Sequence, residues 1–233
     1  MDEFRQIVPV SALDQDNKVA FYKKTYTNLA FAILLFIVME YLLLQVDFIV
    51  NLSIQLIQSW AWLLVLGGFM LASNYVERMA ASSKDKNTHY LALFVYVFFE
   101  ALIFVPLIYL AIQYSGALEK DILSQAAVMT LALFTGISAV VFLTKKDFSF
   151  LKSVITMGGF IAIGLILAAY IGGIHLGLWF CVAMVILAAG SILYQTSNMV
   201  HKYEEDQYVA ASLGLFASLM LLFWYVLSMF MSE

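Results

Sequence analysis

Charge is scarce in this sequence: 12% of its 233 residues are Asp, Glu, Lys or Arg, and only two are proline. The single cysteine, Cys181, excludes an intrachain disulfide and a cysteine metal cluster. It lies in the apolar run WFCVAMVILAAG, where a small buried hydrophobe is expected. No basic arm or aromatic-basic interleaving is present, which argues against nucleic acid. The chain also lacks an HExxH helix, a GxSxG elbow and a phosphate loop, and no aspartate falls inside an apolar run. No enzymatic activity, cofactor or metal site is therefore expected. Residues 1–25 (MDEFRQIVPVSALDQDNKVAFYKKT) lack the short apolar core and small-residue cleavage site of a signal peptide. The first apolar span is expected to remain as an uncleaved anchor.

What remains is overwhelmingly apolar. Hydrophobic residues make up 64% of the chain, and the mean hydropathy is +0.92. Soluble domains are about half apolar and about a quarter charged. The composition predicts an all-α polytopic membrane protein with one membrane domain, residues 26–231, behind a polar tail, residues 1–25. Apolar runs between polar breaks predict about seven spans, near 26–46, 52–76, 90–114, 123–144, 152–171, 175–195 and 207–230. The start of the second, NLSIQLIQSWAW, is amphipathic.

Positive charge alternates between the connections. Arg5, Lys18, Lys23, Lys24, Arg78, Lys84, Lys86, Lys145, Lys146, Lys152 and Lys202 fall on one side, and only Lys120 falls on the other. The positive-inside rule then places the N-terminus in the cytoplasm and, with seven spans, the C-terminus outside. An inner-membrane protein of a bacterium, in contact with a lipid bilayer, is expected.

One carboxylate stands out. Glu100 lies in the third predicted span, YLALFVYVFFEALIFVPLIYLAIQY, roughly 15 Å from its start and so near the midplane. An ionised carboxylate there is costly, so it must be neutral, paired or reached by water. This makes Glu100 the candidate proton or cation site; its bland alternative is a protonated side chain hydrogen-bonded between helices. Pro106 removes a helical hydrogen bond and crowds the Leu102 carbonyl, which predicts a kink just beyond the carboxylate. Arg78 follows Glu77 at the basic end of the second span, either as a topological charge or as a counter-ion at the cytoplasmic mouth. Glu40, nearer the end of the first span, is expected to reach the interface. His89, His175 and His201 stand in or beside loops and are expected at the surface.

Small residues mark close helix packing. Ala210, Gly214 and Ser218 recur every four residues and share a face of the last span. Gln195, Thr196, Ser197 and Asn198 form an uncharged polar cluster at the end of the sixth.

Three segments together resemble the Bax inhibitor-1 family, particularly its bacterial permease-like members, over about residues 20–231. FVYVFFEALIFVPLI carries Glu100, Ala101 and Pro106 in the family's carboxylate, small-residue and proline pattern. FTGISAVVFLTKKDFSFLKSVITMGGFIAIG contains Thr144, Lys145, Lys146, Asp147 and Phe148 as its Thr-Lys-Lys-Asp turn, and AAGSILYQTSNMV is similar to its penultimate helix, with Tyr194 and Thr196 in place.

The resemblance implies seven helices around a central last one, and a pH-sensitive calcium leak gated by two aspartates that share a proton. Here Gln195 stands where the first aspartate belongs, and the resemblance puts the second at Phe216. Gln195 cannot titrate and Phe216 cannot bind a cation. The leading expectation is a calcium-permeable leak channel or ion-homeostasis protein whose remaining site for calcium or protons is Glu100. The alternative is a non-conducting regulator of a membrane-protein partner, such as a membrane protease, with the N-terminal tail as its contact.

Overall fold

The computed structural model describes residues 8–82, 85–174 and 176–232; the side chains of Asn74, Glu77, Arg78, Ala80, Ala81, Ser82, Lys86 and Leu118 are outside the described set. The chain forms α1 (Gln15–Leu43), α2 (Asp47–Ile57), α3 (Ala61–Ser82), α4 (Lys86–Leu118), α5 (Ile122–Thr144), α6 (Leu151–Gly172), α7 (Gly177–His201) and α8 (Tyr208–Met231). Among the described residues no strand forms; one isolated bridge joins Pro9 to Glu204.

Helix ends follow local chemistry. Asp85 caps α4 by accepting hydrogen bonds from the backbone N–H of Asn87 (3.3 Å) and Thr88 (3.1 Å). Asp121 caps α5 through the N–H of Ser124, 3.1 Å away. α6 stops where Gly173 turns left-handed, at a φ of 64° that glycine tolerates.

Six of these helices are each long and apolar enough to cross a membrane. The second predicted span is not one rod: α2 and α3 meet at 105°, and this bent pair is the seventh candidate. Its amphipathic start has become α2, a separate helix packed against α3 and α4. The helix α1 begins at Gln15, ahead of the apolar run that starts near residue 26, so its first turns are polar.

α8 packs against α1, α3, α4, α5 and α7, and its residues from Val209 to Phe216 are all buried. Burial covers 61% of the most apolar stretch of α8 and 67% of that of α4, against 6% for α6 at the edge. The last helix is therefore central, together with α4. α1 turns a single stripe inward, Phe21, Thr25, Leu29, Ala32, Phe36 and Glu40, spaced by three or four residues.

The starts of α1, α4, α6 and α8 gather at one end of the bundle, where Lys24, Lys145, Lys146, Lys152 and Lys202 stand. There Val10 is fully buried and donates its N–H to the Tyr203 carbonyl at 2.8 Å, so the described N-terminal segment is docked on the α7–α8 connection. Lys24 lies 5.5 Å over the ring of Tyr208 at this same end.

Two expectations are corrected here. Glu40 does not reach an interface; it is 4% exposed, because it continues the inward stripe of α1. His89 is not a surface histidine either: α4 starts at Lys86, so residue 89 already belongs to a packed helical face and is 2% exposed. His201 is half-buried, with Nδ1 3.0 Å from the Ser197 carbonyl, and His175 lies outside the described residues.

Candidate functional site

Tyr96, Glu100 and Phe104 follow one another at four-residue spacing, so they stand on one face of α4. Glu100 is buried, and its Oε2 has no hydrogen-bond partner among the described residues. The aromatic rings one turn to either side of it belong to a closed cluster. Tyr96 meets Phe216 edge-to-face at 6.2 Å, Phe216 meets Phe36 at 6.3 Å, and Phe36 meets Phe104 at 5.3 Å. Phe104 also stacks on Phe223 and touches Trp224 edge-on at 5.0 Å. Rings from α1, α4 and α8 thus fill the middle of the bundle around the level of the carboxylate. Pro106 is buried in α4, which continues as a single helix through it.

A second neighbourhood lies on another side of α8, against α7. A β-carbon placed on Gly214 would stand 2.8 Å from Oε1 of Gln195 and 3.0 Å from its Cδ, so only glycine leaves room for that amide. One turn along, the Ser218 and Ser191 hydroxyls are 2.8 Å apart, and Ser218 also donates to the Gly214 carbonyl at 3.0 Å. Ala210 is buried on the same stripe.

The two positions to which the resemblance assigns the aspartates have different surroundings. Residues 214 and 216 are separated by about 200° around a helix. Gly214 accordingly faces α7, whereas Phe216 faces α1 and α4. Along this contact Gly214 lies opposite Gln195 and, one turn on, Ser218 lies opposite Ser191, while Phe216 meets the rings of Phe36 and Tyr96. None of Gln195, Gly214, Ser218 and Phe216 is a carboxylate, so no proton-sharing aspartate pair forms at any of these positions.

Sequence reading left one polar clasp unexplained. At the lysine-bearing end, Asp147 Oδ1 accepts from the Ser149 N–H at 2.9 Å, from the Ser149 hydroxyl, and from the Ser197 hydroxyl at 3.2 Å. Ser197 in turn accepts from the Phe148 N–H at 2.9 Å. The turn between α5 and α6 is thereby pinned to the end of α7. The Ser149 hydroxyl and N–H, then Ser197 and the charge of Lys202, hold the Asp147 carboxyl below its usual value. Thr196 reaches Ser138 of α5 at 3.5 Å, so the polar cluster at 195–198 holds helices together.

The Gln195, Gly214 and Ser218 positions are thus brought together, while Glu100 sits apart in the aromatic cluster. The backbone of Arg78 is in α3, but its side chain lies outside the described residues.

Residues 18–233, nearly the whole chain, match the family described as inhibitor of apoptosis-promoting Bax1. The chain belongs to the Bax inhibitor-1 family. It is 27% identical over 235 aligned residues to Bax inhibitor 1 of Schizosaccharomyces pombe, covering 96% of this chain and 80% of that protein. It is 35% identical to an uncharacterized protein of Pseudomonas aeruginosa over 113 residues, which cover 47% of this chain and 50% of the relative. The Modulator of FtsH protease YccA of Escherichia coli is 29% identical over 145 residues, 62% of this chain and 64% of that one. The matched region therefore spans between half and just under two thirds of the bacterial pair. As a Bax inhibitor-1 family member with its helices arranged in this way, the chain is a multi-pass integral membrane protein.

Proposed function

We propose that this protein is a non-catalytic, non-conducting modulator of a membrane-bound partner, with its N-terminus in the cytoplasm. The observation that carries this reading is the contact of Gln195 with Gly214, where two carboxylates would have to meet to make a proton-gated leak. The aromatic filling around Phe216 supports it, since the middle of the bundle offers rings rather than ligands. The name of the Escherichia coli relative suggests the class of partner, a membrane-bound protease of the FtsH type. The lysine-bearing end, where the N-terminal segment docks on the α7–α8 connection, is the surface such a partner would meet in the cytoplasm.

Co-purification from membranes with the host's FtsH-type protease tests this. Retention by the full chain, and loss on deleting residues 2–7 ahead of the docked segment, is the expected result. Equal recovery of the protease from membranes lacking the protein would overturn it.

A second reading, a calcium or proton leak through Glu100, is favoured by one observation: its buried Oε2 has no partner among the described residues. Cation flux that Glu100→Gln abolishes would put this reading in place of the first.

A further inference from the structure

Glu40 is the least expected group in the molecule. It is 4% exposed, and both of its carboxylate oxygens are buried without a hydrogen-bond partner among the described residues. Buried polar atoms are nearly always paired, and an ionised carboxylate in an apolar interior is the most costly exception. Yet α1 aims this side chain inward, as the last member of the stripe that includes Phe36.

Among the described residues no lysine or arginine is buried beside Glu40. α1 packs against α4, α8 and the short 3-10 turn Val10–Ala12, and its Tyr22 and Tyr26 rings touch Phe142 of α5. In the half of the bundle away from the lysines, α4 carries Tyr109 and Tyr114 and ends at Glu119, and α8 carries Tyr225, whose ring packs on Phe180 of α7. The 3-10 turn has no titratable side chain, and Asp47 opens α2 beyond the end of α1. Neither α4 nor α8 has a Lys, Arg or His in that half, and Lys120 and Asp121, ahead of α5, are exposed in the α4–α5 connection.

Glu100 is also too distant to share a proton. α1 and α4 run in the same direction, and Phe36 meets Phe104 at 5.3 Å. Glu100 lies one turn before Phe104 and Glu40 one turn after Phe36, which separates them by roughly 11 Å along the axis. A shared proton needs oxygens within about 3 Å.

We propose that Glu40 is a proton-binding site of its own, separated from Glu100 by the Phe36–Phe104 pair. A protonated carboxyl is the form an apolar seam between α1, α4 and α8 accepts. Its ionisation draws water into that seam and loosens α1, the helix that follows the docked N-terminal segment. The site is independent of the identity of any partner.

Dicyclohexylcarbodiimide, an apolar reagent, tests this in the purified wild-type protein in lipid nanodiscs. The carboxyl O–H adds across one C=N bond, with the proton going to nitrogen and the oxygen to carbon. An oxygen-to-nitrogen acyl shift then leaves a stable N-acylurea that peptide mass spectrometry locates. The expected result is an adduct at Glu40 at about pH 6 whose yield falls progressively as the pH is raised to about 10. Glu40→Gln should leave the yield at Glu100, whatever its size, unchanged at each pH. Absence of the Glu40 adduct from monodisperse protein, a yield that ignores pH, or protection by millimolar calcium at fixed pH would overturn the assignment. A changed Glu100 profile in Glu40→Gln would contradict the separation of the two sites.

Discussion

Gln195 of α7 rests on the bare backbone of Gly214 of α8, within 2.8 Å of where a β-carbon would stand. This contact sets how closely the two helices approach. Because Oε1 is the end of a flexible side chain, Gly214→Ala should be tolerated at a cost of about 1 kcal/mol, with Gln195 swinging aside. Gly214→Leu would drive α7 and α8 apart and cost about 3 kcal/mol or more. Thermal denaturation of the purified variants checks both values.

The contact between α7 and α8 yields a sharper test. Ser191→Asp combined with Ser218→Asp puts two carboxylates where the two hydroxyls now stand 2.8 Å apart on the α7–α8 contact, close enough to share a proton. Pairing raises the second ionisation, so the stability it contributes is present at low pH and lost as pH rises through that raised value. The expected outcome is a melting temperature clearly lower at about pH 8 than at about pH 5. Gln195→Asp with Phe216→Asp should instead be destabilised at both, since residue 216 faces aromatic rings rather than Gln195.

Phe216 is fully buried among rings of α1 and α4. Phe216→Ala leaves a cavity at the centre of the bundle and should lower stability by about 3 to 5 kcal/mol, with Phe216→Leu costing less. Comparable melting of Phe216→Ala and wild type would show that the aromatic cluster is not what holds the three helices together.

Ser197 holds both Asp147 and the Phe148 N–H, so Ser197→Ala leaves that amide without its partner, at a cost of about 1 to 3 kcal/mol. Asp147 is held below its usual value, so its contribution is present above about pH 4 and lost as pH falls through the lowered value. Acid-induced loosening of the α5–α6 turn should therefore be weaker in Ser197→Ala than in wild type, as hydrogen exchange at Phe148 and Ser149 would report.

Long apolar runs made the membrane crossings readable, because hydropathy acts over a whole helix and survives small errors at its ends. The break between α2 and α3 was harder to read: residues 52–66 contain neither proline nor glycine, and the Ser59 hydroxyl accepts instead from the Ala61 N–H at 3.3 Å. Glu40 was misplaced by counting distance to the end of its span, whereas its helical phase with Phe36 and Ala32 already pointed inward. Phase likewise separates Gly214 from Phe216. Linear alignment to a family pattern carries no angle, and the side of α8 that meets Gln195 became visible only with α7 beside it. The Asp147–Ser197 clasp joins residues fifty apart in sequence, which only folding brings together.

The most direct test of the central claim is calcium entry into dye-loaded liposomes containing the purified wild-type protein, across about pH 6 to 8. With Gln195 on Gly214 and no carboxylate pair between α7 and α8, entry should match protein-free liposomes at every pH. A pH-dependent flux that Glu100→Gln removes would contradict that account and make the buried carboxylate of α4 the gate.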